Sequence, residues 1–288
     1  MAWWGGIVVH NMEQMGKASS TGLGGAQTVD RALALLSAVG RGGVAGVTLG
    51  DLVAQSGLNK PTVRRLLLAL MRGGLVEQNP DTRRYFLGEE AYILGMFAAQ
   101  RHGILEHSFA VLARLARETG DAAFVSIRQG YWALCLHREE GSYPIRTHAL
   151  MAGQLHPLGV GAGSLAMLAA LPDAEVEAAL DANAAQLAAS YAALPPDLIR
   201  DHVRVTRQNG HALNPGLLYP DSWGLGLALR WPDGALAGAL SLAAIESRMQ
   251  RPRRDDLLVR LRAGAAEIEK SLARLYALRR GTPDRRTA

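Results

Sequence analysis

Four side chains that can donate hydrogen bonds to an anion, Lys60, Thr62, Arg64 and Arg65, fall within six residues, directly after Asn59. Bases four apart share one side of a helix and Arg65 lies beside them, so helical geometry would present them on or beside one face. That is chemistry for holding a polyanion: fixed charge with several N–H donors, and in arginine a planar fork that matches paired acceptors. Over residues 48–72 Lys60, Arg64, Arg65 and Arg72 face one acid, Asp51, although the whole chain carries a net charge of only +5. The excess is local, and its placement says more than its size. Arg83 and Arg84 follow the string NPDT, and arginines recur from Arg248 onward, where solvated helix faces are the expectation.

A second chemistry is suggested by LHPLGVGAGSLAMLAALP, residues 155–172. Leucines and alanines after Gly163 read as a helix ended by Pro172 and entered through Gly159, Gly161 and Gly163. Glycines let a ligand approach the backbone, and the free N–H groups of a helix start favour a carboxylate; tight helix packing is the competing use of the same glycines. The spacing is GxGxG rather than GxGxxG, which argues against a dinucleotide site. No GxSxG, HExxH, Walker A or paired CxxC string occurs, and Ser164 in GAGSLA lacks the second glycine of a nucleophile elbow. His148 and His156 could meet in a pocket, yet a histidine in an ordinary polar or core position is the commoner case. Cys135 sits inside an apolar strand pattern and reads as inert core. The expectation is a non-enzyme with no cofactor and no metal.

The elements that must position the bases can be read from periodicity. TVDRALALLSAV places Val29, Ala32, Leu33, Leu36 and Val39 at helical spacing with Thr28 as N-cap. In TLGDLVAQSG, Thr48 caps a second helix, Asp51 completes a capping box and Gly57 ends it. The third helix begins near Asn59 or Lys60 with Pro61 in its first turn. Its Val63, Leu66, Leu67 and Leu70 point one way, and its bases lie on or beside the other face. Asn79-Pro80-Asp81 is turn chemistry between LVEQ and YFLG, predicting a hairpin with Tyr85 and Leu87 packed inward and Arg83 and Arg84 near its tip. Two helices joined tightly, then a hairpin, form a winged helix-turn-helix, an arrangement made for double-stranded DNA.

These strings, TVDRALALLSAV and TLGDLVAQSGLNKPTVRRLLLALMRGGLVEQNPDTRRYFLG, resemble the IclR family of bacterial transcription regulators, and the resemblance extends from about Thr28 to about Leu278. It implies an α+β two-domain chain: three helices plus a β-hairpin wing, a linker helix, and a C-terminal α/β effector-binding domain with an antiparallel, GAF-like sheet. It implies homodimers, or dimers of dimers, on palindromic DNA. The DNA-contact candidates are Thr48, Asn59, Lys60, Thr62, Arg64, Arg65, Arg83 and Arg84. Pro61 departs from the small hydroxyl residue more usual there. The effector-pocket candidates are Gly161, Ala162, Asp221, Gly226 and Ser241, with Leu150 and Leu158 as apolar walls. Some relatives carry cysteines along these strands and this chain does not. The wording around HPLGVGAGSLA and SWGLGLAL is similar to members associated with breakdown of aromatic or other organic acids.

The second part reads as EEAYILGMFAAQ, the linker helix with Ile93, Leu94 and Phe97 on its apolar side; HSFAVLARLARETG, a helix ended by Gly120; AAFVSIRQG and YWALCLHRE, a hairpin; DLIRDHVRVTRQNG, a helix stopped by Gly210; HALNPG, extended; and two strands around Pro232-Asp233-Gly234. The expected division is a disordered leader over 1–25, a DNA-binding domain over 26–88, a linker helix over 89–103, an effector domain over 104–280 and a disordered tail over 281–288. With 288 residues, 49% hydrophobic and 20% charged, the chain can fill two cores. No apolar run approaches the ~20 residues of a membrane span, and a single cysteine fits a reducing cytoplasm. Two functional classes stand at this point: a regulator whose DNA binding responds to a small organic acid, or a metabolite-binding protein or enzyme whose first module serves only to dimerise.

Overall fold

The computed structural model describes residues 26–145 and 150–280, so the leader, the tail and His148 lie outside the described residues. The chain forms two compact units, residues 1–100 and 101–288.

In the first unit, α1 (Gln27–Arg41), α2 (Leu49–Ser56) and α3 (Lys60–Arg72) bury Leu35, Val39, Leu52, Val63, Leu66 and Leu67 in one core. Each leucine so buried contributes about 1.5–3 kcal/mol. Thr48 caps α2 as the sequence predicts: its hydroxyl accepts from the Asp51 amide at 3.1 Å, and the Asp51 carboxylate accepts from the Thr48 amide at 3.0 Å. Gly57 closes α2 in the left-handed region at φ 63°, and three residues later α3 starts. Two expectations about the edges of this unit are corrected. Helix α1 begins at Gln27 with Ala26, not Thr28, at the cap, and the buried stripe is Leu35, Ala38 and Val39, while Val29 and Leu33 are exposed. The fully buried residues of α1 lie in its second half, and from its first half only Ala32 is among the apolar residues packed against this core.

The wing is β1 (Val76–Gln78) paired antiparallel with β2 (Tyr85–Leu87), and Tyr85 also pairs with Val47. Asn79 builds the turn, its side-chain oxygen accepting from the amides of Asp81 and Thr82 at 3.0 and 2.8 Å. Tyr85 is buried as expected; Leu87 is not, lying 46% exposed beside Gly40 where the small sheet ends. Helix α4 (Glu89–His102) follows, and Tyr92, Leu94, Met96 and Phe97 along it are all exposed.

The second unit is built on a six-stranded sheet in the order β5-β4-β3-β8-β7-β6, every neighbour antiparallel. The strands are β3 (Ala122–Gln129), β4 (Trp132–Glu139), β5 (Leu155–Pro157), β6 (Ala212–Pro215), β7 (Ser222–Arg230) and β8 (Leu236–Ile245). Strand residues alternate between faces. Leu225, Leu227, Leu229, Leu240 and Leu242 meet α5 (Ile104–Thr119) and α9 (Arg253–Arg280). Ala133, Ala212 and Ala239 meet α6 (Ala162–Ala169), α7 (Asp173–Ser190) and α8 (Pro196–Asn209) on the other side. The result is three layers, with the sheet between two helical covers.

Helix α9 is fastened at its start. The Asp121 carboxylate, 2% exposed, accepts from Arg248 Nε and Arg253 Nη2, each at 2.8 Å. Both guanidinium groups also donate to the Thr119 carbonyl, and Arg248 lies 3.9 Å from the centroid of the Tyr143 ring. Arginines in this C-terminal stretch are thus partly structural, which the solvated-face expectation did not anticipate.

Candidate DNA-binding face and effector cleft

Helix α3 carries two functions on two sides. Val63, Leu66, Leu67 and Leu70 are buried, whereas Lys60, Arg64, Arg65 and Arg72 are exposed. Among the described residues no acid pairs with Lys60, Arg64 or Arg65; in the second unit, by contrast, Arg114, Arg128, Arg200, Arg207 and Arg260 all hold carboxylates. Cationic side chains without internal partners are the ones available to phosphate. The helix start adds its own positive end, because the first N–H groups have no intrahelical acceptor.

The other predicted contacts divide. Asn59 is the N-cap of α3, its side-chain oxygen accepting from the Thr62 amide at 2.9 Å, so its first role is to fix where the helix begins. Thr62 is half-buried behind it, and the hydroxyl of Thr48 is engaged in the capping box of α2, donating to Asp51 at 2.7 Å. Arg83 sits exposed at the wing tip with φ 58°. Arg84 does not sit with it. Strand alternation turns its guanidinium back onto the Gly46 carbonyl at 3.0 Å, where it ties the wing to the loop before α2.

In the second unit the glycine-rich entry leads into α6 at one wall of a cleft that opens to solvent. Gly161 is the N-cap at φ 85°, with no side chain capping the helix. The Ser164 hydroxyl donates to the Pro157 carbonyl and accepts from the Gly159 amide, both at 3.1 Å, which pins the loop and gives that serine a structural role. Of the effector-pocket candidates, Leu150, Gly161, Ala162 and Ser241 lie along this cleft. Three candidates do not. Leu158 is fully buried in the core; Gly226 lies behind α6, where a methyl group would meet the Ala162 carbonyl oxygen at 2.3 Å; Asp221 is exposed beside the rim, its own carbonyl accepting from the Glu246 amide. The rest of the wall, which includes Phe124, Asn214, Ser222, Trp223, Gly224 and Leu242, was missed. Period-two alternation from Gly226 along β7 points to Gly224 and Ser222, so those two were within reach of the sequence.

Two other groups weighed for chemistry, Cys135 and His156, are buried. Burial pushes the Cys135 thiol up to about 11, far from the thiolate that reacts. His156 is buried with Nδ1 3.2 Å from the Tyr191 hydroxyl, and burial pushes its pKa down to about 4. Among the described residues no cluster of metal-ligating side chains occurs, and no helix is long and apolar enough to cross a membrane.

Comparison with known families matches residues 96–270 to the bacterial transcriptional regulator IclR C-terminal domain and residues 28–80 to the IclR helix-turn-helix domain. The chain belongs to the IclR family of bacterial transcription regulators. It is 24% identical to the HTH-type transcriptional regulator KipR of Bacillus subtilis over 226 residues, covering 78% of this chain and 90% of that one. An IclR transcriptional regulator from Silicibacter sp. TM1040 superimposes with a TM-score of 0.74 at 28% identity, covering 85% and 96% of the two chains. An IclR homologue from Microbacterium hydrocarbonoxydans, solved with 4-hydroxybenzoate, shares the fold with a TM-score of 0.68 at 16% identity over 85% and 98%. In this IclR-family regulator the winged helix-turn-helix and the α/β domain with its antiparallel sheet are therefore the DNA-binding and C-terminal modules of the family.

Proposed function

We propose that Lys60, Arg64, Arg65 and Arg83 contact operator DNA, with α3 in the major groove and the wing tip on the flanking backbone, and that a small organic acid in the α6 cleft alters that binding. The exposed bases of α3, unpaired among the described residues above a buried leucine stripe, are the observation that carries the reading. Phosphate contacts make the affinity salt-dependent, and arginine forks reading base edges make it selective. The cleft supports the second half: it combines apolar walls, two serine side chains and an uncapped helix start. The 4-hydroxybenzoate held by the Microbacterium homologue supports an aromatic acid as the occupant to try first. The exposed apolar residues of α4, read as the linker helix over 89–103 between a DNA-binding domain over 26–88 and an effector domain over 104–280, support pairing of protomers into a dimer or dimer of dimers on a palindromic site.

Control follows if the acid binds one arrangement of the protomers better than another. The test is a salt titration of the purified protein on its own upstream DNA and on a scrambled sequence, with and without a panel of organic acids. Selective binding shifted by one acid is the expected result. Binding without preference between the two DNAs overturns the operator half, and an acid that binds without changing DNA affinity overturns the control half.

A further inference from the structure

Among the described residues the walls of the α6 cleft contain no cation, so an acid bound there draws its counter-charge from beside them. The sheet supplies one. Across the face that α6 covers, one row of paired residues runs Arg138, Phe124, Ser241, Gly226 over β4, β3, β8 and β7. Residues directly opposite one another point to the same face, and neighbouring strands are about 4.8 Å apart. Arg138 is thus two strands from Ser241, with only the Phe124 ring between them, and its guanidinium carbon lies 5.8 Å from the centroid of that ring.

The guanidinium lines an adjoining hollow with Asp121, Glu140 and Tyr143, touches the α6 cleft through Phe124 and Leu150, and is incompletely used. The Arg138 side chain is 6% exposed. Nη1 donates at 3.2 Å to the carbonyl of Leu150, which itself lines the cleft. Its one carboxylate, on Glu140, is 3.3 Å away on a side chain 40% exposed, and Nε has no hydrogen-bond partner among the described residues. A buried guanidinium with a vacant Nε, and with its paired carboxylate on a part-exposed side chain, keeps donor capacity that a second carboxylate can fill. The arginine fork offers paired donors, and a planar carboxylate fits them.

We infer that Arg138 holds the carboxylate of the acid bound in this cleft, the rest of the ligand lying along Phe124 toward Ser241 and the start of α6. The inference rests on reading the cleft as the acid site, and it adds the residue that makes the site select acids over neutral analogues. A mere helix-start site would bind the anion at α6 and leave Arg138 without influence.

The experiment is calorimetric titration of the full chain with benzoate, 4-hydroxybenzoate, pyruvate and succinate, each beside its neutral amide. Wild type prefers the acid that binds over its amide by about tenfold or more, the effect of a charge-assisted hydrogen bond. Arg138→Met removes that preference by weakening the acid and leaving the amide unchanged; Arg138→Lys, which keeps the charge without the fork, falls between. Equal acid affinity in wild type and Arg138→Met overturns the inference, as does a wild type that does not distinguish acid from amide. That second comparison needs no variant and stands even if Arg138→Met fails to fold. Ser241→Leu, which fills the cleft, separates the two ideas. If it abolishes acid binding while Arg138→Met does not, only the role of Arg138 falls. If acid binding survives it, or if no acid of the panel binds wild type, the cleft reading falls and the inference with it.

Discussion

Helices α3 and α6, the two proposed to meet a partner, are built in opposite ways. Helix α3 is capped by the Asn59 side chain, buries one stripe and sends long bases outward from the other. Helix α6 starts on a glycine with no side-chain cap, and every residue from Ala162 to Ala169 is buried. Its neighbours on the sheet are the smallest available, Gly224 and Gly226 on β7 and Ser241 on β8. A surface for a large anionic partner is made of side chains that project. A cleft for a small molecule is made of side chains that are missing, so that backbone can come close.

That contrast can be broken from either end. The largest effect is expected where the missing side chain is restored: Gly226→Val drives carbon into the Ala162 carbonyl and should cost about 3 kcal/mol or more, read as a lowered thermal midpoint of the second unit. Buried groups around α6 also predict acid sensitivity. His156 is protonated near 6.5 when unfolded and only near 4 when folded. The unfolded chain therefore binds the extra proton, and stability that is whole above pH ~6.5 falls as pH drops toward 4, by about 3 kcal/mol in all. Denaturant unfolding across that window should show the slope, and His156→Gln should flatten it. If the histidine variant keeps the slope, another group is responsible.

On α3 the effects fall on binding rather than folding. Arg64→Ala should cost about 1–3 kcal/mol on the operator and less on scrambled DNA, without moving the thermal midpoint; equal losses on both DNAs would reduce it to a phosphate contact. Lys60→Ala should weaken both alike and lower the salt slope by about one. Asn59→Ala is the smallest change, about 1 kcal/mol of helix stability, and a fluorescence or circular-dichroism melt would detect it. An Asn59→Ala variant with normal stability and lost operator selectivity would show that the cap residue reads DNA after all.

The same contrast explains what could be read in advance. The α3 stripe, the Thr48–Asp51 box, the Asn79 turn and the β3–β4 and β7–β8 hairpins depend on neighbours a few residues apart, where periodicity and turn chemistry act. Arg84 was misplaced because its partner, the Gly46 carbonyl, lies 38 residues away. The cleft was half legible: Gly161, Ala162, Ser241 and Leu150 came from resemblance, but Phe124 enters it only because β3 pairs with β8, register Phe124 to Ser241. No local pattern encodes a pairing over that separation. Leu158 and Gly226 were near the site in sequence yet spent on packing, since a wall residue and the residue behind the wall are one strand position or one turn apart.

The Asp121 clasp has a consequence for how the protein is made. The carboxylate emerges from the ribosome 127 residues before Arg248 and 132 before Arg253. Until then the nascent second unit holds an acid it cannot bury, and β3, at the middle of the finished sheet, waits for β8 to arrive just ahead of those same arginines. The DNA-binding unit, complete within the first 100 residues, has no such wait. Translation therefore delivers a finished DNA-binding unit before a finished second unit, whose sheet and clasp are completed only by β8 and α9.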